Sequence, residues 1–356
     1  MKKLIILIST TFLLFGFAAC GQVENSEQDL SNQGTGQPDL ESKKMNEEIE
    51  PTDKETEQTS EDGEQINQDL SQSTSNIEED PYFESFEGSI DHVHGLGYAG
   101  NQNAIFFAAH DGLKIFTNGK WYKTKAENND YMGFNAVEKG FFSSGHPGKD
   151  SSLPNPFGVM RSTDNGQTLE TLGLLGETDF HLMGVGYETN SIYAIPPNNN
   201  SEMEAGGLYV SEDDAKSWRK VKAENLGENL FHLAVHPTKA EIVAAAGEDG
   251  IYLSEDRGET FELLTNGFQG TTVYFSDDDL WYGGFNGKAI LMKKSILDGS
   301  EKEIPLPKLE QDAVMYMAQN PNNENELVFV SFNGDIYKST DDAKTWTTIV
   351  KNGVIQ

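Results

Sequence analysis

The feature of this sequence that most restricts its fold is an octet that occurs four times. It has the form S-x-D-x-(G/A)-x-(S/T)-(aromatic or Leu), and its third residue is Asp164, Asp213, Asp256 or Asp341. An Asp side chain that accepts hydrogen bonds from nearby amides, followed by a small residue, is typical of a tight turn. The recurrence of one turn indicates that the chain repeats a single supersecondary unit.

The spacing of the octets predicts the number of units. The first three octet aspartates are 49 and 43 residues apart, and the third and fourth are 85 residues apart. Degenerate copies at Ser295–Gly299 and Thr117–Trp121 fall at the missing positions. Six units of about 44 residues therefore fit between residues 88 and 351, and each is long enough for four strands. We predict an all-β fold, a six-bladed β-propeller of four-stranded antiparallel blades, with seven blades as the alternative.

The octets resemble the Asp-box, or BNR, repeat of sialidases, sortilins and photosystem assembly factors. That resemblance implies a structural role for the octet, which joins two antiparallel strands. The run Asp-His-x-His-Gly at residues 91–95 makes the chain similar to bacterial lipoproteins described as glycosyl hydrolases. This family resemblance implies either a hydrolase or, as in sortilins and assembly factors, a scaffold that binds another extracytoplasmic protein.

Two observations bear on hydrolysis. Sialidases hold their substrate carboxylate with three converging arginines, whereas the three arginines of this chain, Arg161, Arg219 and Arg257, lie in or beside octets. We therefore expect no sialidase site. Another glycoside hydrolase would need two carboxylates about 5–10 Å apart. The candidates for that pair are Asp91, Asp111, Asp130 and Asp179.

The N-terminus has the pattern of a secretory signal. Lys2 and Lys3 precede an apolar run over residues 4–17, which is shorter than the ~20 residues of a membrane-spanning helix. The run ends in Phe17-Ala18-Ala19-Cys20, which resembles the bacterial lipoprotein box. That resemblance implies cleavage after residue 19, lipidation of Cys20 and anchoring at the outer face of the cytoplasmic membrane. Cys20 is the single cysteine, so the chain has no internal disulfide.

Charge separates a linker from the propeller. Residues 21–80 contain 18 acidic and three basic side chains and no aromatic residue, a composition typical of disorder. We predict a signal peptide over residues 1–19, a lipidated and disordered acidic linker over 20–82, and the propeller over 83–356. The formal charge of −32 disfavours nucleic acid as a partner, because the phosphate backbone would be repelled.

The histidines indicate where a ligand would bind. In a propeller blade, the start of the innermost strand and the end of the second strand lie at the same end of the central channel. Six of the seven histidines fall at such positions: His92, His94, His110, His146, His181 and His232. The seventh, His236, is expected at the opposite end. Alignment of the innermost strands places Met183 and Met317 in the same ring.

Imidazole and thioether are ligands for transition metals, and thioether favours Cu(I). We predict that this end of the channel binds copper, zinc or a small ligand such as a glycan. The preferred ligand set is His92, His94 and His181, completed by His110 or His146. Hydrolase and scaffold functions remain the alternatives.

Overall fold

The computed structural model describes residues 76–356. Cys20, the predicted signal peptide and most of the predicted linker lie outside the described residues. Ile77 is buried against the first blade, so contact with the propeller begins upstream of residue 83. Within residues 76–356, no helix is long and apolar enough to cross a membrane.

The strands of the described region form six antiparallel sheets, and each sheet is one blade. Blade 1 contains β1 (Phe83–Ser85), β2 (Val93–Gly97), β3 (Ile105–Ala109), β4 (Gly112–Thr117) and β5 (Lys120–Thr124). Blade 2 contains β6 (Asp130–Val137), β7 (Gly140–His146), β8 (Val159–Ser162) and β9 (Glu170–Gly173). Blade 3 contains β10 (Leu182–Val185), β11 (Ile192–Ile195), β12 (Tyr209–Ser211) and β13 (Arg219–Lys220).

The second half of the chain repeats this arrangement. Blade 4 contains β14 (Leu230–Val235), β15 (Val243–Gly247), β16 (Gly250–Ser254) and β17 (Glu262–Leu263). Blade 5 contains β18 (Gln269–Ser276), β19 (Asp279–Phe285), β20 (Ala289–Ser295) and β21 (Glu301–Glu303). Blade 6 contains β22 (Val314–Asn320), β23 (Asn323–Ser331), β24 (Ile336–Ser339), β25 (Thr347–Lys351) and β26 (Val354–Ile355). A 3₁₀-helix at Ala99–Asn101 joins β2 and β3. The prediction of six blades is confirmed, and the seven-bladed alternative is wrong.

The innermost strands surround the channel and close the ring. Each of β2, β6, β10, β14, β18 and β22 contacts the innermost strand of the next blade, and β22 returns to β2. The two ends of the described chain also meet, because Ile90 N donates to Gly353 O at 2.7 Å and Ser89 bridges Val354. Blades 1 and 6 each consist of one continuous segment, so no blade is shared between the ends.

All four octets form the same hydrogen-bonded turn between the third and fourth strands of a blade. In the third octet, Asp256 Oδ1 accepts from Thr260 N at 2.9 Å, and Oδ2 accepts from the Thr260 hydroxyl at 2.7 Å. Ser254 Oγ accepts from Gly258 N at 2.9 Å. The equivalent bonds recur at Asp164, Asp213 and Asp341. The octet aspartates are therefore occupied by the turn itself.

Apolar clusters between adjacent blades hold the ring together. The cluster between blades 1 and 2 includes Phe106, Ile115, Phe134 and Phe141, all of them buried. Equivalent clusters lie between the other blades. Because every cluster draws on two blades, no blade buries its apolar surface alone.

A β-bulge interrupts the pairing of the innermost strand in five of the six blades. The register shifts lie in β2, β6, β14, β18 and β22, as they pair with the second strand. In β2 the shift falls between Val93 and Gly95, so His94 is the extra residue. Side chains alternate between the two faces of an uninterrupted strand. After a bulge they point to other faces than this alternation predicts.

Candidate metal centre

Blades 1, 2 and 3 bring histidine and aspartate side chains together at one end of the channel, which we call the mouth. His94 lies in β2, and His110 directly follows β3. Asp130 begins β6 and is paired directly with His146, the last residue of β7. Asp179 and His181 lie just before β10. These positions share the mouth because each innermost strand begins where its antiparallel partner ends.

His94, His110 and Asp130 form a compact group, which we call the first group. His110 Nδ1 lies 3.0 Å from Asp130 Oδ2, and His94 Nε2 lies 3.5 Å from Asp130 Oδ1. The two Nε2 atoms of His94 and His110 are 3.3 Å apart. One ligand atom from each of the three side chains lies within 4.8 Å of the others. The first group thus offers two nitrogens and one oxygen to a single point.

The first group contains an unsatisfied polar atom. Asp130 Oδ1 is buried and, within residues 76–356, accepts no hydrogen bond. The side chains of Asp130 and His94 are 20% and 19% exposed, so little solvent reaches the space between them. A buried acceptor without a donor is costly, and a bound cation would remove that cost.

Burial also controls the protonation of His94. Removal from solvent holds the pKa of His94 well below its ordinary value of 6.5, although the charge of Asp130 acts in the opposite direction. His94 is therefore neutral at pH 7. Neutral imidazole is the form that coordinates metals.

A second group at the mouth consists of His146, Asp179 and His181. His146 Nε2 and His181 Nε2 lie 3.2 Å and 2.9 Å from the same oxygen, Asp179 Oδ2. Burial opposes ionisation of Asp179, but the hydrogen bond and charge of His181 outweigh it, and the Asp179 pKa is lowered. The same hydrogen bond raises the pKa of His181.

Asn155 supports the second group and was missed by the sequence analysis. Its Oδ1 lies 2.7 Å from His146 Nδ1. Asn155 belongs to the long segment between β7 and β8. Nothing in the local sequence distinguishes Asn155 from other loop residues, since its role depends on how the loop folds back.

Three of the predicted residues lie at the edge of the mouth. His92 is exposed, pairs with Asp91 at 2.7 Å, and its ring centroid lies 5.1 Å from that of His110. Asp111 is exposed and pairs at 2.7 Å with the buried ammonium of Lys114. Neither Asp91 nor Asp111 is among the carboxylates of the two groups.

The structure corrects the predicted positions of the two methionines. Met183 and Met317 are each 3% exposed and pack in the clusters between blades 2 and 3 and between blades 5 and 6. A bulge precedes Met317 in β22, whereas β10 pairs in regular register, so Met183 is buried by packing between blades 2 and 3 without a bulge. We therefore omit both thioethers from the ligand set.

His232 also differs from the mouth histidines. Its Nδ1 lies 3.0 Å from Thr272 Oγ1, and its ring centroid lies 5.1 Å from that of Tyr316. Burial lowers the pKa of His232 to about 4. It lies inside the channel and borders a cavity of about 310 Å³ that extends towards the opposite end. Tyr187 and Tyr274 also line that cavity.

The remaining histidine and the arginines are engaged elsewhere. His236 is buried and pairs with Asp278 at 3.2 Å. Arg161, Arg219 and Arg257 form ion pairs with Glu or Asp side chains of adjacent turns and outer strands.

The fold and the mouth together define a β-propeller with a histidine-rich channel opening. No family model matches the chain, and no curated protein matches it. Among solved structures it is similar to the GH74 enzyme of Niastella koreensis, with a TM-score of 0.50 and 15% identity over 75% of this chain. The chain spans 47% of that enzyme's length.

Two other solved propellers are similar to a lesser extent. An ancestral GH74 enzyme gives a TM-score of 0.47 and 14% identity, and the match covers 75% of this chain and 40% of the enzyme. YCF48 from Cyanidioschyzon merolae gives a TM-score of 0.45 and 11% identity over 77% of this chain and 90% of YCF48. At 15% identity, the similarity to the Niastella koreensis enzyme shows the fold alone.

Proposed function

We propose that this protein binds a divalent transition metal ion at the mouth of its propeller, through His94, His110 and Asp130. The observation that carries the proposal is the convergence of two imidazoles and one carboxylate within 4.8 Å. Ligands ~2.0–2.1 Å from a tetrahedral ion lie about 3.3–3.4 Å from one another. With His110 Nδ1 as its ligand atom, the first group has separations of 3.4 Å to His94 Nε2 and 3.0 Å to Asp130 Oδ2.

The donor atoms favour Zn²⁺ or Cu²⁺. Imidazole nitrogen and carboxylate oxygen suit these ions, whereas Cu(I) prefers the thioethers that are buried between the blades. Three protein ligands leave one coordination position open, as in zinc sites that bind or activate a ligand. A small molecule or glycan oxygen would complete the coordination.

The cellular setting remains a prediction from residues 2–20. We propose that the propeller is lipid-anchored through Cys20 at the outer face of the cytoplasmic membrane. Metal ions outside the cell would then reach the mouth directly. The scaffold hypothesis is that a partner protein binds at the same site. This hypothesis is compatible with a mouth that holds a metal ion and with one that does not.

Glycoside hydrolysis is the competing function, and its carboxylates would be Asp130 and Asp179. Each of these side chains faces two imidazoles. A general acid needs a raised pKa, whereas the pKa of Asp179 is lowered. The GH74 similarity supports the fold of such an enzyme, but the arrangement at the mouth fits metal binding better.

Equilibrium dialysis against Zn²⁺ and Cu²⁺ followed by elemental analysis tests the proposal. We expect the purified full-length chain to retain metal stoichiometrically, and Asp130→Asn to retain one equivalent less because a charged ligand is lost. His236→Gln, at a buried histidine outside the mouth, is the matched control and should bind as the parent does. A parent protein without metal, or an Asp130→Asn variant with undiminished metal, would contradict the proposal.

A further inference from the structure

The end of the channel opposite the mouth contains the cavity of about 310 Å³, which the proposed metal site does not use. All six blades line this cavity, with residues near the ends of their innermost strands and in the turns that follow. The volume lies within the range of small-molecule sites in proteins, about 300–1,000 Å³. The ring of blades therefore encloses a second space that a small ligand can occupy.

Aromatic side chains form much of the cavity wall. They are Tyr98, Phe134, Tyr187, Tyr274, Phe275 and Tyr316. The Tyr187 hydroxyl donates to Tyr98 O at 3.2 Å, and the Tyr274 hydroxyl donates to Gln319 O at 3.2 Å. These hydrogen bonds fix the positions of the Tyr187 and Tyr274 rings. The faces of such rings attract cations.

The interior of the cavity offers two hydrogen-bond donors that have no acceptor. Val273 N donates to His232 Nδ1 at 3.3 Å, so the neutral ring of His232 carries its proton on Nε2. Within residues 76–356, neither His232 Nε2 nor the Tyr316 hydroxyl has a hydrogen-bond partner, and neither atom is sealed off from the cavity. The centroids of the two rings are 5.1 Å apart. Both donors are therefore available to one end of a ligand.

Carboxylates surround the cavity where it opens. They belong to the exposed residues Glu138, Glu188, Asp277 and Glu324. None of the four forms an ion pair within the described region, and no lysine or arginine of that region lines the cavity. Burial raises the pKa of Tyr187, and the charges of Glu138 and Glu188 raise it further, so these carboxylates lie near that ring. The opening therefore attracts cations and repels anions.

We propose that this cavity binds a small organic cation that carries an ammonium group at one end and a hydroxyl or ether oxygen at the other. The ammonium group lies among the tyrosine rings and carboxylates of the opening, surroundings that suit quaternary ammonium groups. The oxygen accepts hydrogen bonds from His232 Nε2 and the Tyr316 hydroxyl. A neutral sugar would gain nothing from the charge of the four carboxylates. This site is separate from the mouth and does not depend on metal binding there.

Calorimetric titration of the metal-free full-length protein with choline tests the site. Choline has a quaternary ammonium and a hydroxyl group, and dimethylbutanol is its neutral analogue with carbon in place of nitrogen. We expect saturable binding of one choline and about tenfold weaker binding of dimethylbutanol, because the attraction between charges is lost. Asp130→Asn changes the mouth alone and should bind choline as the parent does. Absence of choline binding, equal affinity for dimethylbutanol, or loss of choline binding in Asp130→Asn would overturn the proposal.

Two further variants test the two ends of the ligand. Glu138→Gln combined with Glu188→Gln should weaken choline binding about tenfold, because two charges near the ammonium group are removed. Glu255→Gln combined with Glu262→Gln, at exposed carboxylates of blade 4 outside the cavity, removes the same charge and should have no effect. Tyr316→Phe should weaken the binding of choline and leave that of tetramethylammonium, which has no hydroxyl, unchanged. Unchanged choline affinity in the Glu138→Gln, Glu188→Gln variant or in Tyr316→Phe would refute the assigned contacts.

Discussion

At the scale of single residues, aspartate has two distinct roles in this propeller. The octet aspartates are saturated by hydroxyl and backbone donors from their own turn, as Asp256 is by Thr260. Asp130 and Asp179 face imidazoles from neighbouring elements, and Asp130 keeps a buried oxygen without a donor. The first role stabilises a turn, whereas the second leaves bonding capacity for a ligand.

The octet role predicts a pH-dependent loss of stability in Asp341→Asn. The hydrogen bonds from Thr345 lower the Asp341 pKa from 3.8 to about 2, so the ionised side chain stabilises the fold above about pH 4. That contribution is lost as the pH falls through the folded pKa. We expect a lower urea midpoint than the parent at pH 7, and a difference that narrows between pH 4 and pH 2.

Asp342→Asn provides the matched control, because it removes the same charge from the same turn one residue further along. Its urea midpoint at pH 7 should lie closer to that of the parent. A difference between Asp341→Asn and the parent that stays constant from pH 7 to pH 2 would contradict the assignment.

At the scale of secondary structure, sequence predicts where strands lie better than which way their residues face. Turn residues such as Gly250, which begins β16 (Gly250–Ser254), delimit the strands in the sequence. The sequence could not predict which way the residues of an innermost strand point. A bulge changes that direction, and a bulge depends on how the strand pairs with the next strand. His94 is itself the extra residue of a bulge, and a bulge also precedes Met317 in β22.

Close packing between innermost strands predicts a specific rescue. Gly97 of β2 faces Ala136 of β6, and a Cβ at position 97 would collide with the Ala136 Cβ. We expect Gly97→Ala to destabilise the fold by about 1–3 kcal/mol through overpacking. Adding Ala136→Gly should restore most of that loss, as measured by urea denaturation. Ala136→Gly alone is the control, and it should lower the free energy of unfolding by roughly 0.5–1 kcal/mol. If the double variant loses the sum of the two single losses, the contact between residues 97 and 136 is refuted.

At the scale of the whole molecule, the blade count followed from the octet spacing, whereas the mouth required the folded ring. The first group draws on blades 1 and 2 and the second on blades 2 and 3. Sequence placed the histidines at one end because strand order fixes which chain positions share that end. It did not indicate that Asp130 and Asp179 would each lie between two imidazoles, since those contacts cross from blade to blade.

Because the ligands belong to different blades, metal binding should stabilise the ring. An ion present at 100 times its dissociation constant contributes about 2.7 kcal/mol to the native state. We expect the thermal midpoint to rise by roughly 5–10 °C when the ion binds, from ~2–4 °C per kcal/mol for domains near this size. Scanning fluorimetry with Zn²⁺ measures this rise in the thermal midpoint. Mg²⁺ is the control ion, because Mg²⁺ prefers oxygen ligands. An equal shift in the Asp130→Asn variant would contradict binding at the mouth.

The outer position of β1 has a mechanical consequence. This strand is held at the rim of blade 1 by three residue pairs with β5, whereas the proposed ligands lie at the ends of strands near the channel. Tension applied to the chain upstream of residue 76 would load those three pairs before any strand that carries a ligand. A propeller held from its N-terminal side can therefore bear a pulling force at its rim while the geometry of the mouth is preserved.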